Sequence, residues 1–547
     1  MRVADLVVRC LENEGVRHVF GIPGEETLAL GLALEDSEQI QSIVVRHEQG
    51  AAFMADVYGR LSSYPGVCIA TLGPGATNLL TGVADANLDR APLVAITGQA
   101  GLERIHKESH QYVDVLRMFA PVVKWNARIE LPETAPEIVR KAFRLARLEK
   151  PGATHIELPE DVAEREVVAV PLAVRRTRYA QAGEEAIARA AELINGAAQP
   201  IVLVGNGVVR REAAGHGAVA ALRSFIARTH LPVTHTFMAK GAVDDRDPAA
   251  LPSVGLQRPG ADLASIAELK EADLVIAIGY DLVEWAPGLW NPGHDKQIVH
   301  LDSTPAEVDM SYVPSIEVVG EITDSLEALA VLVEPRAARG HPLRDLRVAG
   351  DGAFPLWPRR VVADLRAALD DDGIVISDVG AHKVWLSRLY PARLPNTVVI
   401  ANGYASMGIA LPGAIAAKLV HPERKVVAFC GDGGFLMNVQ ELETARRLGT
   451  AFVTLVLVDG RYGVIEANQR RRFQRSGGVE FGNPDFVGLA RAFGLPGYAV
   501  ASADELLPTL RRALAEPGPA LVAVPIDHGE NRKLGDDLWG SPDAGSA

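Results

Sequence analysis

Short apolar runs alternate with amphipathic helical stretches along almost the whole chain. Four such runs in the first region each end near glycine, proline or a polar residue: 19–22, 43–46, 68–72 and 93–97. A helical stretch, 49–61, lies between the second and the third of them. Apolar strands separated by helices are typical of a parallel sheet that is covered on both faces.

The same alternation occurs in two further regions, which follow loose stretches at 171–183 and 335–355. The strand-like runs of these regions are 201–204, 274–278 and 297–301, then 426–430, 452–458 and 521–525. We therefore predict an α/β protein of three doubly wound domains. The predicted boundaries are 1–175, 185–335 and 355–530, with a polar C-terminal tail at 531–547. The first and third regions each run from a strand into a glycine-rich turn and a helix, an echo too weak to predict a repeat.

Composition and charge agree with a large globular protein and exclude nucleic acid as a partner. The chain has 547 residues, of which 48% are apolar and 23% charged, and this length exceeds that of one hydrophobic core. The net charge is −14, from 55 basic and 69 acidic residues, and no basic block of the kind that binds nucleic acid occurs. The nearest candidate, the run Arg470, Arg471 and Arg472, is interpreted as a solvated helix face.

We expect neither a signal peptide nor a membrane-spanning helix. The N-terminus starts directly with an amphipathic helical pattern, without the apolar core of a signal peptide, and no apolar run is long enough to span a membrane. Cys10, Cys68 and Cys430 are odd in number, widely spaced and in apolar contexts. We therefore expect buried free thiols in a reducing cytoplasm.

A glycine-rich segment in the third region carries the first candidate chemistry. Gly431, Asp432, Gly433 and Gly434 follow the apolar run VVAFC, and the next strand-like run ends at Asp459. Each motif alone also fits an ordinary turn. Together, however, they put two aspartates at the carboxyl ends of successive parallel strands, where such sheets bind ligands. Two carboxylates beside glycine backbone suit a magnesium ion that is bound to a diphosphate.

The segment between these aspartates predicts a helix. Asn438 and Glu441 have the spacing of a capping box, and apolar residues recur after them at helical spacing. Gly449 is the expected C-terminal cap.

The stretch GDGGFLMNVQELETA, followed by LVDGRYGVI, resembles the cofactor-binding signature of thiamine-diphosphate enzymes. The resemblance implies that the Asp432 and Asp459 side chains and the backbone carbonyl of Arg461 hold magnesium. It also assigns these neighbours to cofactor binding: Gly431, Gly433, Gly434, Tyr462 and Gly463. Many members have asparagine at the second ligand position, whereas aspartate is frequent there in the acetolactate synthase branch.

Glu48 is the candidate that carries the chemistry. It follows the apolar run IVVRH at the start of a predicted helix, where an acid is also favoured by the helix dipole alone. In the enzymes that the chain resembles, this glutamate bonds a pyrimidine nitrogen of the cofactor and promotes the imino tautomer, which removes the thiazolium proton. Partial burial would raise the affinity of Glu48 for a proton, as that role requires.

The stretch 72–99 resembles the loop and helix that flank the pyrimidine in this family. Its Gly73, Gly75 and Asn78 allow a ligand to approach the backbone closely, although Gly-Pro-Gly also fits a tight turn. His110 and Gln111 match a family His-Gln pair near the reacting carbon, whereas a lone histidine at a helix end is more often structural.

Two further segments are assigned to the cofactor by resemblance alone. Met407 matches the residue that supports the bent form of the cofactor, and the Ala405 carbonyl is expected to accept a hydrogen bond from the aminopyrimidine. His382 and Lys383 replace a Phe-His pair beside the diphosphate, where a lysine remains a sound phosphate partner.

The resemblance covers roughly residues 4–527, and the middle-domain sequence IGYDLVEWAPGLWNPG is most similar to the catabolic, flavin-free acetolactate synthases. It implies decarboxylation of pyruvate and ligation of the two-carbon fragment to a second pyruvate, which gives 2-acetolactate and CO2. Gly205, Asn206 and Gly207 lack the third glycine of a dinucleotide fingerprint, so we expect FAD to be absent. The site is expected to be shared between subunits of a homodimer or homotetramer.

Two departures from the branch leave the acceptor open. Glu26 stands where the catabolic enzymes have lysine, and an anion near a keto-acid pocket opposes binding of a carboxylate. Tyr404 and Ala405 stand where those enzymes have glutamine at the second position. The alternatives are another thiamine-diphosphate carboligase or decarboxylase with a different acceptor, and a non-catalytic protein of the same fold.

Overall fold

Three parallel β-sheets with intervening helices form the protein. The computed structural model describes residues 1–175, 179–256, 264–338 and 352–531. The tail beyond residue 531, and parts of both predicted linkers, lie outside these ranges. No helix among the described residues is long and apolar enough to cross a membrane.

The first sheet has six strands in the order β2-β1-β3-β4-β6-β5, and all pairs are parallel. Its strands are β1 (His18–Gly21), β2 (Gln41–Val44), β3 (Gly66–Ala70), β4 (Leu93–Gln99), β5 (Trp125–Arg128) and β6 (Ala153–Pro159). The helices around them are α1 (Val3–Asn13), α2 (Leu28–Glu35), α3 (Glu48–Ser62), α4 (Pro74–Leu88), α5 (Val115–Phe119), α6 (Ala135–Arg147) and α7 (Glu160–Glu164).

The second sheet has five parallel strands in the order β11-β10-β9-β7-β8. Its strands are β7 (Pro200–Val204), β8 (Val233–His235), β9 (Leu274–Ile278), β10 (Gln297–Asp302) and β11 (Ile316–Val319). The helices of this region are α8 (Glu184–Gly196), α9 (Asn206–Ala213), α10 (Ala218–Thr229), α11 (Ala264–Glu271) and α12 (Ile322–Leu332).

The third sheet has six parallel strands in the order β13-β12-β14-β15-β17-β16, which is the order of the first sheet. Its strands are β12 (Ile374–Ser377), β13 (Val398–Ile400), β14 (Val426–Gly431), β15 (Val453–Val458), β16 (Gly497–Ala499) and β17 (Ala520–Pro525). The helices are α13 (Pro358–Ala368), α14 (Ala381–Leu389), α15 (Ala410–Val420), α16 (Asp432–Phe435), α17 (Glu441–Leu448), α18 (Gly463–Phe473), α19 (Phe486–Ala492) and α20 (Leu506–Ala513). The faint echo between the first and third regions is therefore a shared topology.

The predicted strands are present, but one of them is shifted. The run 43–46 was expected to end at residue 46, whereas β2 ends at Val44. The reason is that the backbone N–H groups of Arg46 and His47 donate to the Glu441 carboxylate instead of a sheet ladder. The predicted buried free thiols are confirmed, since Cys10, Cys68 and Cys430 are all buried and unbonded to one another.

By packing, the chain divides into two compact units. The first unit joins the first sheet and its helices to Gly403–Glu423 and Asn438–Thr450, and within it α15 packs against α3. The second unit contains the remaining described residues, including the second and third sheets. The domain boundaries drawn from the sequence stay a prediction.

Candidate active site

Two side chains of the first unit hold the backbone just before Glu48. His47 caps α3 by accepting from the Gln49 N–H at 3.1 Å. Glu441 accepts from the backbone of Arg46 and of His47, both at 3.1 Å. These contacts fix the backbone on the N-terminal side of Glu48, so the direction in which its carboxylate leaves the helix is fixed as well.

The Glu48 carboxylate is buried and has a side-chain partner. Glu48 is 9% exposed, and the Asn78 amide donates to its Oε2 at 3.0 Å. An acid that served only the helix dipole would be equally favourable in water. Burial with a dedicated amide donor instead indicates a carboxylate that is held in one orientation for a ligand.

The glycine-rich turn before α4 lies against Glu48 and the Gln111 backbone. Gly73 has φ +51°, and a Cβ there would lie 2.5 Å from the Gln111 carbonyl oxygen. A Cβ on Gly75 would lie 3.4 Å from Glu48 Oε1. Gln111 itself has φ +57°, and both it and His110 are exposed. The structure thus brings Glu48, Gly73, Asn78 and the Gln111 backbone together, while the His110 side chain extends into solvent.

The segment with Ala405 and Met407 belongs to the same unit. Ala405 has φ +59°, an unusual value for a residue with a Cβ, and Met407 is half-buried. Asp89 accepts from the backbone N–H of Gly403 at 2.7 Å, and Asp85 accepts from that of Ser406 at 2.9 Å. Both aspartates therefore contact the backbone of this loop.

Glu26 does not present a free carboxylate. It is 6% exposed, and its Oε2 accepts from the Thr71 hydroxyl at 2.7 Å. A Cβ on Gly75 would lie 2.9 Å from the Thr71 methyl group, so Thr71 and Gly75 lie between Glu26 and Glu48. The departure from the catabolic pattern thus lies at the same end of the sheet as Glu48.

Asp432 in the second unit binds the end of the neighbouring strand β15. Its Oδ2 accepts from the backbone N–H of Asp459 at 3.0 Å and of Gly460 at 2.7 Å, and from the Asn483 amide at 2.8 Å. Its Oδ1 accepts from the Gly433 N–H at 2.9 Å. The two strand ends predicted to meet are therefore joined through this carboxylate.

The Asp459 carboxylate has fewer partners and a perturbed pKa. It accepts from the Arg461 N–H at 3.1 Å and from the Asn531 amide at 2.9 Å. Burial and then the neighbouring Asp432 carboxylate raise the pKa of Asp459 to about 7. A cation between these groups would reverse that shift, so the pair fits a divalent metal.

The donor set fits magnesium better than a metal held entirely by the protein. Among the described residues no group of three or more His, Cys, Asp or Glu side chains could hold an ion. Magnesium keeps several waters and is commonly bound through one or two carboxylates and substrate phosphates. Two carboxylates and one backbone carbonyl leave positions for such ligands.

Glycines at the carboxyl edge of the third sheet lie close to polar and aromatic side chains, and the space is tightest at Gly434. A Cβ on Gly431 would lie 3.0 Å from His382 Nδ1, and one on Gly433 would lie 3.0 Å from the Tyr462 ring. A Cβ on Gly434 would lie 2.6 Å from Asp378 Oδ1. Gly463 begins α18, and a Cβ on it would be 3.8 Å from Asp459 Oδ2. The predicted glycines therefore form one surface with both aspartates.

His382 and Lys383 lie in the first turn of α14 and differ in their partners. His382 is 5% exposed, burial lowers its pKa to about 3, and its Nε2 has no hydrogen-bond partner among the described residues. The Lys383 ammonium donates to the Ala401 carbonyl at 3.2 Å and to Asn402 Oδ1 at 3.0 Å. The buried His382 Nε2 is available to a diphosphate group near the glycine backbone, whereas the Lys383 ammonium already has two partners. His382 is therefore a better candidate than Lys383 for direct contact with a diphosphate.

Sequence reasoning missed several residues and assigned one motif wrongly. Asn483 contacts Asp432 from 51 residues further along the chain, and Asn531 contacts Asp459 from 72 residues further along, which no local pattern indicates. The predicted capping box is wrong, because Glu441 is the first residue of α17 and Asn438 donates to the Gly408 carbonyl instead. The predicted C-terminal cap at Gly449 is confirmed.

The turn at Gly205, Asn206 and Gly207, which resembles a dinucleotide-binding turn, is contacted by a glutamate of the same chain. Glu284 is 1% exposed, and both of its carboxylate oxygens accept from the Asn206 N–H at the start of α9, each at 3.0 Å. It also accepts from the Thr236 hydroxyl and from the Asp281 N–H. Burial raises the pKa of Glu284 to about 7. In nucleotide-binding folds a diphosphate occupies this position.

Family models for all three domains of thiamine pyrophosphate enzymes match the chain in order. The N-terminal TPP binding domain matches residues 1–118, the central domain 187–329 and the C-terminal TPP binding domain 378–524.

Curated relatives match along nearly the full length. The chain is 38% identical to an acetolactate synthase of Bacillus subtilis (strain 168), over 98% of this chain and 95% of the relative. It is 38% identical to a catabolic acetolactate synthase of Raoultella terrigena, over 97% of this chain and 96% of the relative. The large subunit of acetolactate synthase isozyme 1 of Escherichia coli (strain K12) is 33% identical, over 96% and 94%. The chain belongs to the acetolactate synthase family of thiamine pyrophosphate enzymes.

Proposed function

We propose that this protein is an acetolactate synthase, which releases CO2 from one pyruvate and joins the remaining two-carbon fragment to a second pyruvate. The observation that carries the proposal is the buried Glu48 carboxylate with its Asn78 donor, in a domain that matches a TPP binding model. The relatives that match nearly the full chain carry the same name.

The residues of the first unit have distinct tasks in this proposal. Thiamine diphosphate supplies carbonyl addition and acceptance of electrons as CO2 leaves. Glu48 shares a proton with the pyrimidine ring nitrogen, and Asn78 keeps the carboxylate in the orientation for that transfer. Ala405 would offer its carbonyl to the aminopyrimidine, and Met407 would pack against the cofactor. His110 and Gln111 remain candidates for contact with the reacting substrate.

The residues of the second unit would hold the charged end of the cofactor. Asp432, Asp459 and the Arg461 carbonyl would bind magnesium, and the raised pKa of Asp459 supports a cation there. The Gly431 and Gly433 backbone and His382 Nε2 would contact the diphosphate. Lys383 donates to Ala401 and Asn402, so we assign it to the conformation of that loop.

We further propose that activity needs no flavin. Glu284 supports this proposal, because its carboxylate accepts a hydrogen bond from the Asn206 N–H. The diphosphate of a dinucleotide would need the same N–H as a donor. A bound dinucleotide would also bring two further negative charges towards this buried acid.

Glu26 favours a second candidate, a carboligase with another acceptor. Its carboxylate stands where catabolic relatives are expected to have a cation, and only Thr71 and Gly75 separate it from Glu48 among the contacts described above. An anion at that place disfavours a second keto acid. A non-catalytic role is disfavoured, because a protein without the reaction has no use for Glu48, Asp432 and Asp459 together.

We also propose a homodimer or homotetramer in the cytoplasm. The oligomer follows from the family resemblance, in which the pyrimidine-binding domain of one subunit faces the diphosphate-binding domain of another. Three buried free cysteines support a reducing compartment.

The test is a turnover assay with the purified full-length protein, thiamine diphosphate, magnesium and pyruvate, with and without added FAD. We expect CO2 and acetolactate in equal amounts, and no effect of FAD. Release of CO2 with an aldehyde product, or ligation only when another carbonyl compound is added, would favour the second candidate. Absence of CO2 release from any 2-keto acid would refute both.

A further inference from the structure

A buried ion cluster in the first unit contains one arginine and three aspartates. Arg60 donates to Asp56 Oδ1 at 2.5 Å, Asp85 Oδ2 at 3.1 Å and Asp89 Oδ2 at 2.9 Å. The aspartate side chains are 0% exposed and that of Arg60 is 12% exposed. One cation faces three buried acids, and burial raises the pKa of Asp56 and that of Asp85. Buried polar and charged groups need further hydrogen bonds to be tolerated.

The further hydrogen bonds come from one loop. Asp89 Oδ1 accepts from the backbone N–H of Gly403 at 2.7 Å and of Tyr404 at 3.2 Å. Asp85 Oδ1 accepts from the Ser406 N–H at 2.9 Å. Each of the two aspartates therefore faces Arg60 with one oxygen and the loop with the other.

The anchored residues flank a strained position. Ala405 lies between Tyr404 and Ser406 and has φ +59°, a region that a residue with a Cβ rarely adopts. Such a conformation persists only where its surroundings over-determine it. Hydrogen bonds on both sides of Ala405 provide that constraint.

We propose that Asp85 and Asp89, both paired with Arg60, are positioning residues that hold the 403–407 loop in the conformation that the cofactor's aminopyrimidine requires. The proposal rests on the proposed function, in which the Ala405 carbonyl and Met407 contact the pyrimidine end of thiamine diphosphate. It adds the residues that set the shape of that loop, which themselves contact no cofactor.

Replacing Asp85 or Asp89 by asparagine disrupts the hydrogen bonds of the cluster while keeping the size of the side chain. A carboxylate accepts on both oxygens, whereas an amide accepts on one and donates on the other. In Asp89→Asn the new amide would therefore direct its donor either at Arg60 or at the loop N–H groups, and one set of contacts is lost. Asp56 is the matched control, because it is equally buried and bound to Arg60, and its hydrogen bonds with Arg60 lie within the cluster.

The experiment compares two ligands in the full-length protein after removal of cofactor. Thiamine diphosphate carries both an aminopyrimidine and a diphosphate, whereas inorganic pyrophosphate with magnesium carries only the group that Asp432 and Asp459 are proposed to hold. For Asp89→Asn and Asp85→Asn we expect the Kd of thiamine diphosphate to rise about tenfold, the size of a lost charged hydrogen bond. We expect kcat at saturating cofactor to fall, and the Kd of pyrophosphate to stay within about twofold.

Asp56→Asn should leave the Kd of thiamine diphosphate and kcat within about twofold of the wild type. Equal weakening of both ligands, or the same loss in all three aspartate variants, would mean a purely structural cluster and would overturn the proposal. So would wild-type values in Asp89→Asn. A wild-type protein that binds no thiamine diphosphate would instead refute the proposed function.

Two variants at Ala405 test the loop without touching the cluster. Ala405→Val places a β-branched residue at φ +59° and should reproduce the selective loss of thiamine diphosphate affinity even if an aspartate variant does not fold. Glycine adopts this φ freely, so Ala405→Gly combined with Asp89→Asn should recover about threefold of the lost affinity. Absence of both effects would contradict positioning through this loop.

Discussion

The Asn78 amide donates to Glu48 Oε2 at 3.0 Å, which links the second turn of α4 to the first residue of α3. Removing this donor leaves a buried carboxylate with one hydrogen bond fewer. We predict that Asn78→Ala lowers kcat about tenfold, in line with the loss of a hydrogen bond to a charged group. Steady-state kinetics at saturating thiamine diphosphate measure the effect. Thr77→Ala is the control, because Thr77 is exposed and bonds only locally to the Pro74 carbonyl; equal loss in both variants would contradict the assigned role.

Glu48→Gln removes the acid while keeping the size and the Asn78 contact. We predict a fall in turnover of about 10²–10⁴-fold, the range for a positioned proton transfer. Cofactor binding should change far less, since Asp432 and Asp459 are intact. Glu25→Gln, which alters an exposed acid of the same domain, should have wild-type turnover. Nearly wild-type turnover in Glu48→Gln would rule out Glu48 as the proton-sharing group.

Magnesium binding is expected to depend on pH around neutrality. In the metal-free protein the pKa of Asp459 is about 7, so below that pH the ion must displace a proton. The magnesium affinity of the cofactor complex should therefore fall by up to about tenfold for each pH unit below 7 and level off above it. Titrations at pH 5.5, 6.5 and 8 measure this dependence. Asp459→Asn should bind magnesium weakly with a flatter pH profile, and a flat wild-type profile would contradict the assignment.

A substitution at Gly434 tests whether a side chain can be accommodated at the glycine-rich turn after β14. A Cβ there would lie 2.6 Å from Asp378 Oδ1, so either the loop or that carboxylate must move. We predict that Gly434→Ala costs about 1–3 kcal/mol of stability and weakens magnesium-dependent cofactor binding. Thermal unfolding with and without the cofactor measures both effects. Gly477→Ala is the matched control, because nothing lies within 4 Å of its Cβ position; similar behaviour of the two variants would argue against the steric account.

Local sequence patterns predicted the ends of the strands but not the distant residues that contact the aspartates there. Asp432 and Asp459 could be predicted because each follows an apolar run, and the structure joins them through the Asp459 N–H at 3.0 Å. Asn483 and Asn531 lie far from the two aspartates in the sequence. Their hydrogen bonds to these aspartates depend on tertiary packing alone.

Buried charges were the second kind of feature that sequence reasoning could not find. Arg60 and Asp56 are four residues apart, a pattern typical of a solvated helix face. Their burial depends on α15 packing against α3, and α15 lies several hundred residues further along. Besides Arg60, Asp85 and Asp89 bond to backbone N–H groups of a distant loop, and such groups leave no signature in the side-chain sequence.

Glu284 should give the protein a pH-dependent stability. Its pKa is about 7 in the folded state and 4.5 as the ordinary value, so between these pH values the folded protein binds the extra proton. Its contribution to the free energy of unfolding therefore falls as pH rises through this window, by up to about 3 kcal/mol, and is constant above it. Glu284→Gln mimics the protonated acid and cannot titrate. The melting temperature of Glu284→Gln relative to the wild type should thus rise from pH 5 to pH 8. Glu271→Gln, an exposed acid of the same domain, should show no such trend, and a constant difference for Glu284→Gln would mean that this acid stays ionised in the folded protein.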